Sequence, residues 1–461
     1  MNVIVIVADD LGYGDIAAFG NSIVRTPNLD RMAAEGVTLT QHYSASPICA
    51  PARAALLTGR YNHRTGAVDV PSNRGLDRIA LSETTVADLF RSAGYATGMV
   101  GKWHNGAHDM RYHPNARGFD EFAGFVNGGM DYWQWVLDYN GTPRPSDGRY
   151  LTDVFSEEAV GFVQRHRDEP FFLYLAYNVP HAPLQAPEEL VERYRRSGEL
   201  TNAVSAIYAM IERMDVGIGQ LHQALDTLGI LDDTLVLFTS DNGPAMGGEG
   251  DDCADRYNGP FSGTKYDVLE GGIRVPAIVQ WPAELPRGTR CDSLVHFVDW
   301  LPTLHGLTGR HVPEGLSLDG DDVLPLLRGE QGSETTRARY WQWNRYEPVK
   351  HANAAMREGR WKLYWPPIPE ASEKDPADNV PYERFMREAH TLMDIDTTRP
   401  LRSMPPPGAP RLFDLEADQA EETDLSGAHP QRVGEMRRRW DAWYEGVMAD
   451  WRRTEGGTPL G

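Results

Sequence analysis

Four short apolar segments, each followed at once by polar or charged residues, constrain the fold of this chain more than any other feature. They span residues 3–8, 96–100, 171–177 and 235–239. Segments of this length that are apolar on both faces are typical of buried strands in a mainly parallel sheet. Helical patterns alternate with them, at residues 26–35, 84–93, 153–167 and 203–228. This alternation predicts an α/β fold in which a large, doubly wound, mainly parallel sheet is sandwiched by helices.

A different pattern begins near residue 330. Shorter strand-like segments cover residues 338–343, 352–357, 361–365 and 411–415, and a helical pattern covers residues 431–451. Glu358, Gly359 and Arg360 predict a hairpin turn between two of these strands. We therefore predict a main domain over residues 1–330 and a smaller α+β subdomain over residues 331–461, with a short antiparallel sheet and a terminal helix. Residues 366–410, rich in proline and charge, predict an irregular insertion that is either a lid or a surface excursion.

The polar residues after the four apolar segments predict a functional site. In a doubly wound sheet, ligands bind at the carboxyl ends of the strands. Each segment places polar or ionisable side chains at that edge, and together they supply Asp9, Asp10, Lys102, His104, His181, Asp241 and Asn242. We expect these residues to converge on one site.

Asp9, Asp10, Asp241 and Asn242 supply only oxygen ligands. Adjacent carboxylates at a strand end repel one another unless a cation neutralises them. Oxygen ligands select a hard cation, and Ca²⁺ accepts an irregular ligand set more readily than Mg²⁺ does. The alternative interpretation is that the two pairs are helix caps and a turn. Because the pairs occur at two strand ends, the pattern favours one Ca²⁺ per chain.

The segment from Cys49 to Arg53, with the sequence CAPAR, is a second candidate site. Pro51 fixes the backbone after the cysteine, and residues 54–57 predict the start of a helix. A cysteine near a helix N-terminus and an arginine is in a setting that lowers a thiol pKa, although such a motif also occurs as a structural turn. The other cysteines, Cys253 and Cys291, either pair or stay as thiols.

The charge and hydropathy of the chain exclude several classes of partner. Its formal net charge of -21 argues against nucleic acid, because phosphate backbones are bound by clustered Lys and Arg. No apolar run approaches the roughly 18 residues of a membrane span, so we expect no membrane association. Residues 3–8 follow Met1 and Asn2 without the basic segment or the small-residue cleavage site of a leader, so we interpret them as a strand. We therefore expect a cytoplasmic protein, or a periplasmic or secreted one whose leader has been removed; the sequence does not indicate an oligomeric state.

The chain also resembles the type I sulfatases of the alkaline phosphatase superfamily, mostly within residues 1–330 and more weakly to the C-terminus. The matching segments are VIVADDLGYGD at 5–15, TPNLDRMAAEGVTLTQHY at 26–43, CAPARAALLTGR at 49–60, GKWH at 101–104, RGFDEFAGF at 117–125, NVPHAPL at 178–184, SDNG at 240–243, GTKYDVLEGGIRVPAIVQWP at 263–282 and RLFDLEADQAEETDL at 411–425. The pattern CxPxR followed by TGR, together with the two metal half-sites, is highly specific.

The resemblance implies that a formylglycine-generating enzyme oxidises Cys49 to formylglycine, which joins the four oxygen ligands around Ca²⁺. It implies hydrolysis of a sulfate monoester, aryl or carbohydrate, to an alcohol and inorganic sulfate. One hydroxyl of the hydrated aldehyde would attack sulfur and form a covalent sulfoenzyme intermediate. The second hydroxyl would then let the intermediate break by elimination.

The same resemblance implies roles for five further residues. His181 and Lys265 would protonate the leaving oxygen, and His104 would take the proton of the second hydroxyl. Arg53 would orient the hydrated aldehyde and hold the metal carboxylates, and Lys102 would bridge the hydrated aldehyde and the sulfate. Residues 127–131, with the sequence NGGMD, stand where many members carry Ser or His near the sulfate, so no catalytic role is assigned there.

Two other functions remain as alternatives. A phosphonate monoester or phosphodiester hydrolase of the same superfamily can use the same formylglycine, but its position equivalent to Asn242 is usually His, which gives a transition-metal site. A non-catalytic protein that binds sulfated glycans with an unmodified Cys49 would have lost at least one charged site residue, and none is lost. The sequence therefore favours a sulfatase whose partner is a small-molecule or saccharide sulfate ester.

Overall fold

A computed structural model describes residues 1–248, 251–253, 256–310, 312–313, 315–330, 332, 337–378 and 396–454. Its strands are β1 (Asn2–Ala8), β2 (Val37–Leu39), β3 (His42–Tyr43), β4 (Ala96–Lys102), β5 (Glu121–Phe125), β6 (Val136–Tyr139), β7 (Thr142–Pro145), β8 (Phe171–Ala176), β9 (Thr234–Ser240), β10 (Gly247–Gly248), β11 (Asp251–Asp252), β12 (Ala277–Gln280), β13 (Thr289–Cys291), β14 (Val295–His296), β15 (Arg339–Gln342), β16 (Ala354–Glu358), β17 (Trp361–Trp365) and β18 (Arg411–Asp414). Its helices are α1 (Pro27–Glu35), α2 (Cys49–Thr58), α3 (Asn62–Thr65), α4 (Val86–Ser92), α5 (Leu151–Arg165), α6 (Glu188–Arg195), α7 (Asn202–Thr227), α8 (Glu270–Ile273), α9 (Trp300–Gly306), α10 (Leu324–Leu327), α11 (Pro369–Ser372) and α12 (Pro430–Trp451).

A ten-stranded mixed sheet forms the centre of the molecule, in the order β13-β2-β12-β9-β1-β8-β4-β5-β6-β7. The four segments predicted as strands are the adjacent strands β9, β1, β8 and β4, which run parallel to one another. In β1, Val3 pairs with Phe172 on one side and with Leu235 on the other. The prediction of a doubly wound, mainly parallel sheet is confirmed.

Both faces of the central strands are buried, which explains why their sequences are apolar throughout. Along β1, Val3, Val5 and Val7 face one hydrophobic core, and Ile4 and Ile6 face the other. Residues of α2, α4 and α9 belong to the first core, and residues of α1, α5 and α7 belong to the second. None of the helices that the structure describes combines the length and the apolar sequence needed to cross a bilayer.

A four-stranded antiparallel sheet, in the order β15-β16-β17-β18, forms the C-terminal part of the fold. Glu358 pairs with Trp361 across the predicted hairpin turn, where Gly359 has a left-handed backbone with φ of 58°. α12 packs on this sheet through Trp440, whose ring lies 5.3 Å from that of Trp365. The predicted fold class is confirmed. Trp365 and Trp440 belong to the same hydrophobic core as Val3, Val5 and Val7 of the large sheet. The domain boundary near residue 330 stays a prediction.

The segment predicted as an irregular insertion packs against the rest of the chain at its described ends. Arg74 donates through Nε to the carboxylate of Asp378 at 2.9 Å. Arg402 joins the two described parts by donating to the carbonyl of Ala371 at 2.8 Å. Residues 379–395 of this segment lie outside the described residues, so its role as a lid stays a prediction.

Candidate active site

The structure brings the polar residues predicted at the strand ends together. Asp9 and Asp10 follow β1, Lys102 ends β4, His104 and His181 come after β4 and β8, and Asp241 and Asn242 follow β9. These are four adjacent parallel strands, so their carboxyl ends meet at one edge of the sheet. His181 is half-buried, and the other six residues are buried.

Three carboxylates form the centre of the site. Asp9, Asp10 and Asp241 each offer an oxygen within 4.8 Å of the other two. Asp10 adopts a left-handed backbone with φ of 63°, which is uncommon outside glycine, and its N–H donates to Asp241 Oδ1 at 3.1 Å. The turn after β1 is therefore bonded directly to the turn after β9.

Each carboxylate has its own cation. Lys102 Nζ lies 2.6 Å from Asp9 Oδ2, Lys265 Nζ lies 2.7 Å from Asp10 Oδ2, and Arg53 Nε lies 2.8 Å from Asp241 Oδ2. Burial alone would raise the pKa of Asp10, but the charges of Lys265, His181 and Lys102 hold it well below its usual range. Buried charges are tolerated only when they are paired in this way.

Two further oxygens at the centre are suited to a cation. Asp9 Oδ1 and Asn242 Oδ1 are buried and accept no hydrogen bond from the described residues, which is costly for a polar atom. Burial, reinforced by Asp9 and opposed by Arg53, raises the pKa of Asp241 to about 6. Carboxylate and amide oxygens that converge without enough donors are the ligand set of a hard cation, so these residues fit Ca²⁺.

Cys49 is the first residue of α2, so this helix starts earlier than the predicted start at residues 54–57. Its side chain is buried, and burial raises the pKa of the thiol to about 12 although Lys102 and Lys265 oppose the shift. The prediction of an acidic thiol is therefore wrong, because the desolvation of a thiolate outweighs the helix end and the nearby cations. Sγ of Cys49 and ligand atoms of Asp9 and His181 lie within 4.8 Å of one another. None of the three cysteines forms a disulfide.

The two site histidines are held in defined tautomers by backbone carbonyls. His104 Nε2 lies 3.3 Å from the carbonyl of Val70, so the proton is assigned to Nε2 and the lone pair to Nδ1. His181 Nδ1 lies 2.7 Å from the carbonyl of Ala182, which leaves Nε2 with the lone pair, 3.8 Å from Asp10 Oδ2. Burial and nearby cations lower the pKa of His104 well below its usual range and that of His181 to about 3.

A cavity of about 360 Å³ opens onto this centre. Its buried lining includes Asp10, Cys49, His104 and Lys265. The same cavity is lined by Tyr266, Arg345, Lys374 and Asp378, two of which belong to the predicted insertion. The cavity therefore connects the strand-end residues with the C-terminal part of the chain.

Several residues that support the site were not predicted from the sequence. Arg256 is paired with buried Asp15 at 2.6 Å and donates to the carbonyl of Asp10 at 2.6 Å. Gly128 leaves room for the His104 ring, because a Cβ there would lie 2.7 Å from Cε1. Arg256 lies in a loop without strand or helix periodicity, and the only signal for Gly128 was its place in the segment NGGMD.

The chain is similar to known proteins along its whole length. The family model described as Sulfatase matches residues 1–310, and the one described as N-sulphoglucosamine sulphohydrolase, C-terminal, matches residues 264–366. The N-acetylgalactosamine-6-sulfatase of Mus musculus is 33% identical over 86% of this chain and 79% of its own length. The steryl-sulfatase of Rattus norvegicus is 30% identical over 96% and 88%. The crystal structure of Ps i-CgsB in complex with k-i-k-neocarrahexaose has a TM-score of 0.80 at 30% identity, covering 100% of this chain and 98% of that one.

Proposed function

This chain belongs to the type I sulfatase family of the alkaline phosphatase superfamily and hydrolyses sulfate esters, and we propose that it does so through a formylglycine made from Cys49 beside one bound Ca²⁺. A formylglycine-generating enzyme is the maturation partner that this proposal requires.

The setting of Cys49 is the observation that carries the proposal. Its thiol is buried, and its raised pKa keeps it neutral near pH 7, so it is a weak nucleophile. Its Sγ also lies within 4.8 Å of a ligand atom of Asp9, one of the oxygen ligands that select a hard cation, for which sulfur is a poor partner. A hydrated aldehyde at this position supplies a hydroxyl oxygen that serves both as nucleophile and as a ligand to a hard cation.

The proposed ligands of Ca²⁺ are Asp9, Asp10, Asp241, Asn242 and the modified residue 49. Asp9 Oδ1 and Asn242 Oδ1, which lack donors among the described residues, are the atoms that most need such an ion. When bound, Ca²⁺ supplies positive charge that lowers the pKa of an adjacent hydroxyl and neutralises sulfate oxygens. Arg53 fixes the turn after β9 relative to the end of β4. Its guanidinium donates to Asp241 at 2.8 Å and to the carbonyl of Lys102 at 3.1 Å.

Lys102 and Lys265 are the proposed donors to the sulfate oxygens. Each ammonium group is held by one carboxylate, Asp9 or Asp10, and has further N–H groups to offer. Both are buried, so their positive charge acts in a medium of low polarity. Donors fixed before substrate arrives stabilise the negative charge that develops during sulfate transfer.

The proposed proton transfers use atoms that the tautomers leave available. His104 is neutral because its pKa is lowered, and its Nδ1 has no partner among the described residues, so it can accept a proton. His181 and Lys265 are the proposed donors to the leaving oxygen. Lys265 already carries its proton, whereas His181 gains one on Nε2 when the negative charge of the substrate raises its pKa.

A sulfated saccharide is the proposed substrate, with an aryl sulfate as a simpler analogue. Polar side chains line the cavity outside the centre, among them Ser72, Asn73, Asn127 and Asp378. One relative is named for N-acetylgalactosamine 6-sulfate, and the similar solved structure holds a neocarrahexaose. The steryl-sulfatase relative is named for an apolar alcohol, and the apolar part of the lining, which includes Ile48, Leu184 and Ile207, also suits such a group.

A rate comparison tests the proposed function. Hydrolysis of 4-nitrophenyl sulfate, a phosphodiester and a phosphonate monoester is measured with and without chelator, together with the mass of the peptide that contains Cys49. We expect preference for the sulfate, loss of activity on chelation, and the mass of the aldehyde rather than of the thiol. Preference for the phosphonate would favour the alternative superfamily activity, although Asn242 in place of a His argues against it. A fully active enzyme with an intact thiol would contradict the role of Cys49.

A further inference from the structure

Two cations line the cavity away from the carboxylate centre, and we refer to Arg345 and Lys374 as the cationic rim. Arg345 follows β15, and Lys374 follows α11 in the predicted insertion. Neither residue contacts Asp9, Asp10 or Asp241 in any hydrogen bond or ion pair among the described residues. The rim is therefore a second charged region of the same cavity.

The guanidinium of Arg345 is held in one orientation. Its Nη1 donates to Asp69 Oδ1 at 3.0 Å, and its central carbon lies 5.1 Å from the Trp343 ring and 5.9 Å from the Tyr266 ring. The side chain is about nine-tenths buried, and its Nε has no hydrogen-bond partner in the part of the chain that the structure describes. A cation fixed between aromatic rings loses little entropy when it binds an anion.

The carboxylates near the rim are already engaged. Asp69 is buried and accepts hydrogen bonds from the N–H groups of Val70 at 2.8 Å and Tyr346 at 2.7 Å. Asp378 is bound by Arg74 and accepts from the hydroxyl of Tyr346 at 2.6 Å. These contacts fix both carboxylates, of which Asp378 lines the cavity and Asp69 lies behind Arg345.

Cations outnumber carboxylates among the residues that line the cavity, although Arg256 and Arg345 are paired with Asp15 and Asp69 behind the lining. Apart from histidines, its ionisable lining residues are Arg256, Lys265, Arg345, Lys374, Asp10 and Asp378, together with Cys49, Cys253 and Tyr266. Burial and repulsion by Arg345 lower the pKa of Lys374, which shows that the two rim cations oppose each other. In a chain with a net charge of -21, such a local excess does not follow from composition and is suited to an anion.

We propose that Arg345 and Lys374 bind a second anionic group of the substrate, a sulfate or a carboxylate, while the ester to be cleaved lies at residue 49. The inference rests on the proposed function and narrows its substrate class to saccharides that carry at least two anionic groups. Arg345 supplies a planar, oriented pair of donors, and Lys374 supplies a charge on a flexible stem from the exposed side.

Binding of matched disaccharides tests this subsite. The full-length Cys49→Ala protein, loaded with calcium, is titrated calorimetrically with a monosulfated disaccharide, its disulfated counterpart, and a counterpart that carries a carboxylate instead of the second sulfate. We expect the dianionic sugars to bind at least about tenfold more tightly, because a charge-assisted contact of this kind is worth about that factor. The two dianionic sugars distinguish a second sulfate from a carboxylate.

Substitutions then assign the preference to the rim. Added to Cys49→Ala, Lys374→Gln should reduce the preference to about threefold or less, and Lys374→Arg should retain it. Lys350→Gln, at a lysine paired with Asp441 and Glu445 outside the cavity, is the matched control and should keep the full preference. Arg345→Gln should reduce the preference in the same way. Because it also leaves buried Asp69 without its cation and so lowers stability, Lys374→Gln is the better test of the subsite.

Equal affinity for the three sugars, no measurable binding of either dianionic sugar, or an undiminished preference in Lys374→Gln would each overturn the subsite. Turnover of 4-nitrophenyl sulfate by the protein without the Cys49→Ala substitution is measured separately. A failure of the proposed function would appear there, whereas a failure of the subsite would appear only in the ratio of affinities.

Discussion

Two clusters of buried carboxylates and cations in the described part of the chain can be compared, and one of them has the features of a reaction centre. In the catalytic cluster, Asp9, Asp10 and Asp241 meet Lys102, Lys265 and Arg53. The second, which we call the Glu270 cluster, joins α8 to β3 and to strands β16 and β17 of the four-stranded sheet through Glu270, Glu421, Lys362, Tyr43 and Arg357.

The two clusters differ in how many of their carboxylate and amide oxygens have a hydrogen-bond or ion-pair partner in the protein. In the Glu270 cluster, Lys362 Nζ lies 3.0 Å from Glu270 and 2.8 Å from Glu421, Tyr43 donates to Glu270 at 2.5 Å, and the N–H of Glu270 donates to Glu421 at 2.6 Å. Every carboxylate oxygen there lies within 3.0 Å of a donor or a cation among the described residues, although Glu421 Oε1 has only the ion pair with Lys362 and no hydrogen bond. In the catalytic cluster, Arg53 Nη2 lies 3.7 Å from Asp9 Oδ1, which is beyond hydrogen-bond distance, and Asp9 Oδ1 and Asn242 Oδ1 accept no hydrogen bond from the described residues.

This difference separates a structural ion pair from a binding site. A buried charge network whose oxygens are all satisfied holds elements together, whereas one with unsatisfied oxygens has capacity for a ligand. We therefore expect substitutions in the catalytic cluster to change activity and metal binding, and substitutions in the Glu270 cluster to change stability.

The largest expected effect is that of Cys49→Ala. Removing the residue that becomes the nucleophile should lower kcat for 4-nitrophenyl sulfate by about 10⁴-fold or more, since the remaining groups only bind and orient the ester. Thermal unfolding followed by circular dichroism should stay within a few degrees of the parent protein. Retained turnover would remove Cys49 from the mechanism and weaken the contrast between the two clusters.

Asp241→Asn should lower activity by about a thousandfold, because a bound divalent cation contributes several kcal/mol to the stabilisation of transition-state charge. Calorimetric titration should show one calcium per chain in the parent protein and much weaker binding in the variant. Glu270→Gln is the matched control in the other cluster and should keep full calcium stoichiometry. If Glu270→Gln lost calcium and Asp241→Asn kept it, the assignment of the two clusters would be reversed.

Lys362→Met should lower the free energy of unfolding by about 3 kcal/mol, because it leaves two buried carboxylates without their shared cation. The rate constant kcat should stay within about twofold, since Lys362 is not part of the cavity lining. Urea unfolding and steady-state kinetics measure the two effects. Lys350→Met, at a partly exposed ion pair, should change stability by no more than about 1 kcal/mol. A large fall in kcat with unchanged stability would contradict a structural role for the Glu270 cluster.

The smallest expected effect concerns pH. Burial raises the pKa of Glu421 to about 7, above its ordinary value of 4.5. Between these values the folded state keeps a proton that the unfolded state has released, so this group makes the free energy of unfolding fall as pH rises. In saturating calcium, the free energy of unfolding of the Glu421→Gln protein should fall between pH 5 and pH 7.5 by at least about 1 kcal/mol less than that of the parent protein. Parallel pH profiles for the two proteins, measured by urea unfolding, would show that Glu421 keeps an ordinary pKa.

Much of the fold could be predicted because its main signals are local. Strands such as β1 are apolar on both faces, and this pattern is visible in a single segment of the chain. The start of α2 was missed because Pro51 lies in its first turn, a position that a helix tolerates but at which proline also occurs in non-helical turns. The strands β5, β6 and β7 carry no comparable signal, since their sequences are short and mixed.

The carboxylate centre could be predicted for a related reason. Each of its residues directly follows a recognisable strand, and parallel strands deliver such residues to one edge. The supporting residues could not be predicted in this way. Arg345 lies 276 residues from Asp69, its partner, and Arg256 lies 241 residues from Asp15. Nothing near either arginine in the sequence indicates the partner.

The sequence by itself thus determined the four central strands of the large sheet, the edge that carries the site and the atoms that could hold a hard cation, because these depend on local pattern and residue type. Only the tertiary structure decided that the Cys49 thiol is less acidic than usual, that Asp9 and Asn242 keep unsatisfied oxygens, and that Arg345 and Lys374 face the same cavity. These properties depend on desolvation and on contacts between distant segments, which exist only once the whole chain has packed.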